Sequence, residues 1–225
     1  MTVQPAFYGR TGTVLGDLVT ILHLPYTLWH LSYVVIGAAL APHVDALRLT
    51  GTVVAFAAGL GIGAHALDEV HDRPLGTSLS DRTLWVLGAG GLAVAAAVAV
   101  VGSLVISPWV LVWAAAGTVL ALAYSLEWTP LIHSDPGFAL AWGAFPVVVG
   151  YWAQTGTVTL AAMAMAGVAA ALSAAQRSLS KSATRLRRSG MPVDNITDLS
   201  RWEDPLRYLA VAMPLLALAL LTTHL

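Results

Sequence analysis

Apolar residues in this chain come in long blocks rather than in alternation. Runs of about twenty recur from end to end, at residues 19–40, 47–67, 84–105, 108–126, 138–154, 157–176 and 205–223. Each is close to the ~20 residues with which a helix crosses a hydrocarbon core. Short polar connections separate them, punctuated by Pro42, Pro108 and the Gln154-Thr155-Gly156-Thr157 turn. Short connections between long helices make antiparallel neighbours. The pattern predicts an all-α integral membrane protein, a single bundle of about seven transmembrane helices over residues 1–225, with no repeat of fixed period.

Composition agrees. The chain is 57% hydrophobic and 10% charged, with mean hydropathy +0.75, against roughly 25% charged residues in a soluble domain. There is too little polar surface to face water all round. A net charge of −1 sets up no global field for nucleic acid, so none is expected as a partner, and the absence of cysteine removes thiolate chemistry. The first eighteen residues hold one Arg, one Asp and no long apolar core. They do not read as a cleavable signal peptide, so the first apolar segment is expected in the mature protein. Arginine outnumbers lysine ten to one in an Ala-, Val-, Leu- and Gly-rich chain, a bias that points to a prokaryotic source.

Charge sorts by side. Arg10, Arg73, Arg82, Arg177, Lys181, Arg185, Arg187, Arg188, Arg201 and Arg207 fall on one face of the predicted bundle, and Arg48 alone falls on the other. The positive-inside rule puts the rich face in the cytosol. The expected protein is a multi-pass cell-membrane protein with its N-terminus cytosolic and its C-terminus outside. Of twelve acids only Asp45 lies on the outer face, which topology does not require. A face holding both signs in quantity suggests a polar working surface.

Three groups of residues carry candidate chemistry. The second span closes with Gly-Leu-Gly-Ile-Gly-Ala-His-Ala-Leu-Asp-Glu-Val-His-Asp-Arg-Pro, residues 59–74. At 100° per residue His65, Asp68, Glu69 and Asp72 share an arc of about 100°, with His71 elsewhere. Three carboxyls and an imidazole on one stripe repel one another unless something positive sits among them. Mg²⁺, which takes one or two carboxylates plus substrate phosphates, is the natural partner; His65 opens the alternative of Zn²⁺ or iron. The competing reading is a solvated helix end at the membrane surface. After the sixth span, Arg177, Lys181, Arg185 and Arg188 share an arc of about 80° if the helix continues. Such a row either holds phosphate oxygens or meets lipid headgroups. In the first span His23, Tyr26, Thr27 and His30 lie within about 60° of one direction, lining either a chamber or an interhelical seam.

These residues resemble the UbiA superfamily of intramembrane prenyltransferases. Leu-Pro-Tyr-Thr-Leu-Trp-His with Val-Ile-Gly-Ala-Ala-Leu-Ala (24–30, 35–41) resembles the family's first helix. His-Ala-Leu-Asp-Glu-Val-His-Asp-Arg (65–73), followed by Gly76-Thr77, looks like its first aspartate-rich motif. Ala-Tyr-Ser (123–125) and Trp-Gly-Ala-Phe-Pro-Val-Val-Val-Gly-Tyr-Trp-Ala-Gln-Thr-Gly (142–156) are similar to its fourth and fifth helices. The resemblance implies a UbiA-like bundle with a lateral opening to lipid, in which Mg²⁺ on aspartates binds an isoprenoid diphosphate near the cytosolic face. Ionisation then gives an allylic cation that an acceptor captures or that cyclises. By position, Asp68 and Asp72 match the motif's second and third aspartates, while His65 stands where the first belongs and Ala64 where its Asn belongs.

Two departures bear on activity. The family's second aspartate motif should follow the sixth span, where this chain has its basic run, and Asp194 and Asp198 lie further along. The family also has nine spans where seven fit here. Three functions follow. One is a prenyl transferase or cyclase, with Asp68 and Asp72 catalytic. Arg73, Arg177, Lys181 and Arg185 would hold the diphosphate, and His23, Tyr26, His30 and Tyr124 would shape the chamber. A second is a catalytically lapsed relative that binds lipid or supports a complex. The third is a Zn²⁺ or iron site on His65, Asp68 and Asp72.

Overall fold

The first apolar stretch is two helices, not one. A computed structural model describes residues 6–10, 12–189 and 196–224, without the side chains of Asp72 and of 196–198. Helix α1 (Val14–Ile21) and helix α2 (Leu24–Ala39) meet at His23, whose φ of 46° is left-handed. Pro25 is the cause. It has no N–H, and its ring excludes the carbonyl four residues back, so one continuous helix cannot run through. The turn is stitched locally: Thr27 donates its hydroxyl to the Leu22 carbonyl at 2.6 Å, and the N–H groups of Tyr26 and Thr27 return to the His23 carbonyl.

The second stretch runs longer than its apolar core. Helix α3 (Ala46–Phe56), capped by Asp45, passes through a π-helical segment, Ala57–Ala64, into α4 (His65–Asp72). The acidic stripe is therefore the end of one long rod. After α5 (Asp81–Val105) and α6 (Trp109–Ser125), the short α7 (Asp135–Phe138) leads through a second π-helical segment, Ala139–Ala144, into α8 (Phe145–Thr155). Both widened segments contain glycine and alanine with few long side chains, where the ladder is least held by packing. Helix α9 (Leu160–Arg188) continues past the predicted span end at 176, which puts the basic row on helix. Helix α10 (Ile196–Leu221) ends in the turn Thr222–His224.

Among the described residues the chain is all-helical, and six helices are long and apolar enough to cross a membrane. The stretch expected as a further span at 108–126 is the 17-residue α6. It rises only about 26 Å, because Pro108 starts it and the chain turns off at Leu126. Asp194 falls outside the described residues, as does the side chain of Asp198.

Helix α2 is the axis of the bundle, flanked by α8 and α10. Trp29, Tyr33 and Ile36 pack with Val147, Ala166 and Met213, and the Trp29 indole N–H donates to the Tyr33 hydroxyl at 2.6 Å. Close approach depends on two glycines facing backbone. A Cβ on Gly37 would lie 2.1 Å from the Val147 carbonyl oxygen, and one on Gly150 would lie 2.2 Å from that of Val34. At the end away from the charged residues, His224 bonds the Ala39 carbonyl, and Arg48 reaches the carbonyls of Ala153 and Gln154.

Gly150→Ala is expected to destabilise the bundle by about 1–3 kcal/mol through overpacking. Gly167→Ala, on α9 with open space where the Cβ goes, is expected to be neutral or stabilising by up to about 1 kcal/mol. Thermal unfolding in one detergent compares the two, and equal effects would remove the close-contact account.

Candidate functional site

A cavity of about 780 Å³ opens among the charged helix ends. From the second rod come His65 and Asp68, and from α9 come Arg177, Lys181 and Arg185. His23, Tyr26 and His30 enter from the first span and Tyr124 from α6. Arg73 lines the rim beside Leu75 and Gly76. His65 and Asp68 of the acidic stripe, the row of bases and His23, Tyr26 and His30 of the first span thus line one cavity.

Glu69 is the exception among the described residues of the stripe. It was expected among the metal ligands with His65, Asp68 and Asp72. Its side chain is fully buried and is not part of the cavity lining, accepting from the N–H of Leu75 at 2.8 Å and from both N–H and hydroxyl of Thr77 at 2.7 and 2.9 Å. A buried carboxylate needs donors, and the loop after α4 supplies three. That loop is pinned twice more. Asp17 of α1, also fully buried, accepts from the N–H and hydroxyl of Ser78. Arg73 pairs with Asp81 and donates to the carbonyls of Thr77 and Leu79, so its guanidinium serves the loop as well as the rim.

The side chain of Asp72 lies outside the described residues, Glu69 is engaged, and Asp68 lines the cavity. Among the described residues no group of three or more His, Asp or Glu is placed to hold a metal ion.

The basic row already has a carboxylate partner that sequence reasoning missed. Asp135 accepts from Arg177 Nε at 2.7 Å and from Lys181 Nζ at 2.5 Å. The signal was present in Ser-Asp-Pro-Gly, since Ser134 caps α7 and Pro136 is its second residue, fixing Asp135 at a helix start. The Arg177 guanidinium also stacks 4.8 Å from the ring centroid of Phe138 and 5.5 Å from that of Tyr124. Glu127 and His133, likewise missed, approach each other to 3.4 Å at the mouth.

Deeper in, the wall is aromatic and imidazole. Tyr8 hydrogen-bonds His23 Nε2 at 2.8 Å, and the His23 ring lies 4.5 Å from that of His65. Burial holds the Tyr8 phenol well above the ordinary tyrosine range, so it stays protonated. His65 Nδ1 contacts the Gly61 carbonyl at 3.3 Å and His30 Nδ1 the Trp142 carbonyl at 2.8 Å. Both carbonyls belong to π-helical segments. Nothing local marks Tyr8 as a cavity residue; only the break at His23 brings it there.

A second hollow of about 570 Å³, almost wholly apolar, lies between α3, α5, α6 and α8, with Phe56, Val98, Trp113 and Phe145 on its walls. Leu60 and Trp142 line both spaces. Comparison of the chain with family models, with curated proteins and with solved structures gives no match.

Two outcomes are expected. Glu69→Ala should lower stability by about 1–3 kcal/mol in thermal unfolding, equally with and without Mg²⁺. A loss confined to the metal-loaded protein would put Glu69 back at the cavity. Asp135→Asn, by releasing Arg177 and Lys181, should tighten inorganic pyrophosphate binding severalfold in low-salt calorimetry, an effect that salt weakens. Unchanged affinity would show that the pair is not competing for the anion.

Proposed function

We propose that this chain is a membrane-embedded, UbiA-like protein that takes an isoprenoid diphosphate into the charged cavity and transfers or cyclises its prenyl chain. The observation that carries the reading is the shared wall: Arg177, Lys181 and Arg185 stand in one cavity with Asp68, His65 and a set of aromatic rings. Cations at that rim neutralise the charge that builds on a departing diphosphate. The ring faces of Tyr124 and Phe138 already hold a guanidinium, and such faces favour a developing allylic cation. The apolar hollow that meets the cavity at Leu60 and Trp142 suits the tail. Positive-inside bias puts the cavity at the cytosolic face of a prokaryotic cell membrane, with the N-terminus inside and the C-terminus outside.

The second reading, a lapsed relative that binds lipid without turning it over, draws on the described donor set. Glu69 is spent on a loop, and the two bases nearest Asp135 are already paired. Mg²⁺ would have to be held by Asp68, Asp72 and the substrate's own phosphates, so metal dependence is an outcome to measure.

Arg177→Ala with Lys181→Ala is expected to weaken farnesyl diphosphate binding at least tenfold in purified, detergent-solubilised protein. Asp68→Asn is expected to abolish release of pyrophosphate from a labelled polyprenyl diphosphate while leaving the fold intact. Unaltered affinity in the double variant would end the diphosphate reading. Binding without any turnover in the wild-type protein, with or without divalent metal, would select the lapsed relative.

A further inference from the structure

Two buried polar atoms on the cavity wall have no hydrogen-bond partner among the described residues, and two imidazoles stand in the same wall. A carbonyl oxygen only accepts, so the contacts of His30 Nδ1 with Trp142 and of His65 Nδ1 with Gly61 put the hydrogen of each neutral ring on Nδ1. That leaves Nε2 of both rings as the acceptor nitrogen. Gln176 Oε1, one residue before the first base of the row, is buried with no hydrogen-bond partner, and so is the Tyr124 hydroxyl. All four side chains line the same cavity. His30 itself is buried.

Unsatisfied acceptors in a buried wall cost free energy, and a π-helical segment that turns its carbonyl to an imidazole is a recurrent feature of functional sites. Anions do not answer this need, because an ionised phosphate oxygen is itself an acceptor. A hydroxyl does.

We infer that the inner wall of the cavity, formed by His30, His65, Gln176 and Tyr124, recognises an alcoholic or phenolic hydroxyl, which gives its one hydrogen to Gln176 Oε1 or to an imidazole Nε2 and accepts from the Tyr124 hydroxyl. The site lies beneath the basic rim and shares its cavity, but it does not depend on the diphosphate reading.

The experiment compares three probes with one tail in nanodiscs of neutral phospholipid: farnesol, farnesyl methyl ether and farnesyl diphosphate. The alcohol is expected to bind about tenfold more tightly than the ether, as one or two hydrogen bonds would give. Gln176→Leu fills the same space without the orphan acceptor. It should leave the empty protein as stable as before, or more so, and should shrink the preference to within about threefold. His30→Asn, which keeps an amide N–H for Trp142, should do the same. In ¹⁵N spectra of histidine-labelled wild-type protein, His30 and His65 should show a protonated Nδ1 and an unprotonated Nε2, with Nε2 moving on addition of farnesol.

No preference in the wild type overturns the inference, as does full preference in both variants or an Nε2-protonated ring at both positions. Diphosphate binding lost with the alcohol preference intact would overturn the diphosphate reading alone. The converse result would overturn the hydroxyl site alone.

Discussion

A backbone carbonyl in hydrocarbon cannot turn to water, so wherever a helix departs from its regular ladder another donor has to be found inside the protein. Most of what is distinctive in this bundle follows from that constraint. The chain departs from the ladder at His23 and along the two π-helical segments, 57–64 and 139–144. At each departure a polar side chain answers: Thr27 at Leu22, His65 at Gly61, Ser125 at Ala64 and His30 at Trp142. The irregular backbone and the polar lining are one feature. His65 and His30 each reach a backbone carbonyl through Nδ1 and also line the cavity, so satisfying the backbone places two imidazoles on its wall.

A second set of buried groups frames the mouth. Asp17 and Glu69 are carboxylates with no exposed surface, and both serve the stretch between α4 and α5. Arg73 completes the frame from inside that stretch through Thr77, Leu79 and Asp81. On the other side Arg187 pairs with the buried Glu203 at 2.6 Å, joining α9 to α10 behind the basic row. Of the charges that make this face conspicuous in sequence, some hold the frame, some line the cavity, and Arg73 and Arg187 do both. Arg177, Lys181, Arg185 and Asp68 belong to the second group.

The two hollows give the molecule the polarity of an amphiphile. One is charged and lies at the helix ends; the other is apolar, and the two touch at Leu60 and Trp142. Helix α6 makes this possible by being short. It packs on α5 and on the first π-helical segment and only lightly on α8, which leaves the apolar gap open beside it.

Helical class, the approximate positions of the spans and the gathering of charge at one end were legible in the chain itself, because hydrocarbon selects on composition and length, and both are local properties. The likeness of one helix end to an acid-rich motif was legible for the same reason: periodicity places His65, Asp68 and Asp72 on one stripe whatever surrounds them. What each charge does was not. Glu69 and Asp68 are adjacent and alike, yet one is consumed by a loop eight residues on while the other faces the cavity, and that choice depends on where Thr77 and Leu75 come to lie. Asp135, Tyr8 and Gln176 entered the site from elements distant in sequence. Helical periodicity fixes which side of a rod a residue occupies, but only packing between rods decides what stands opposite it.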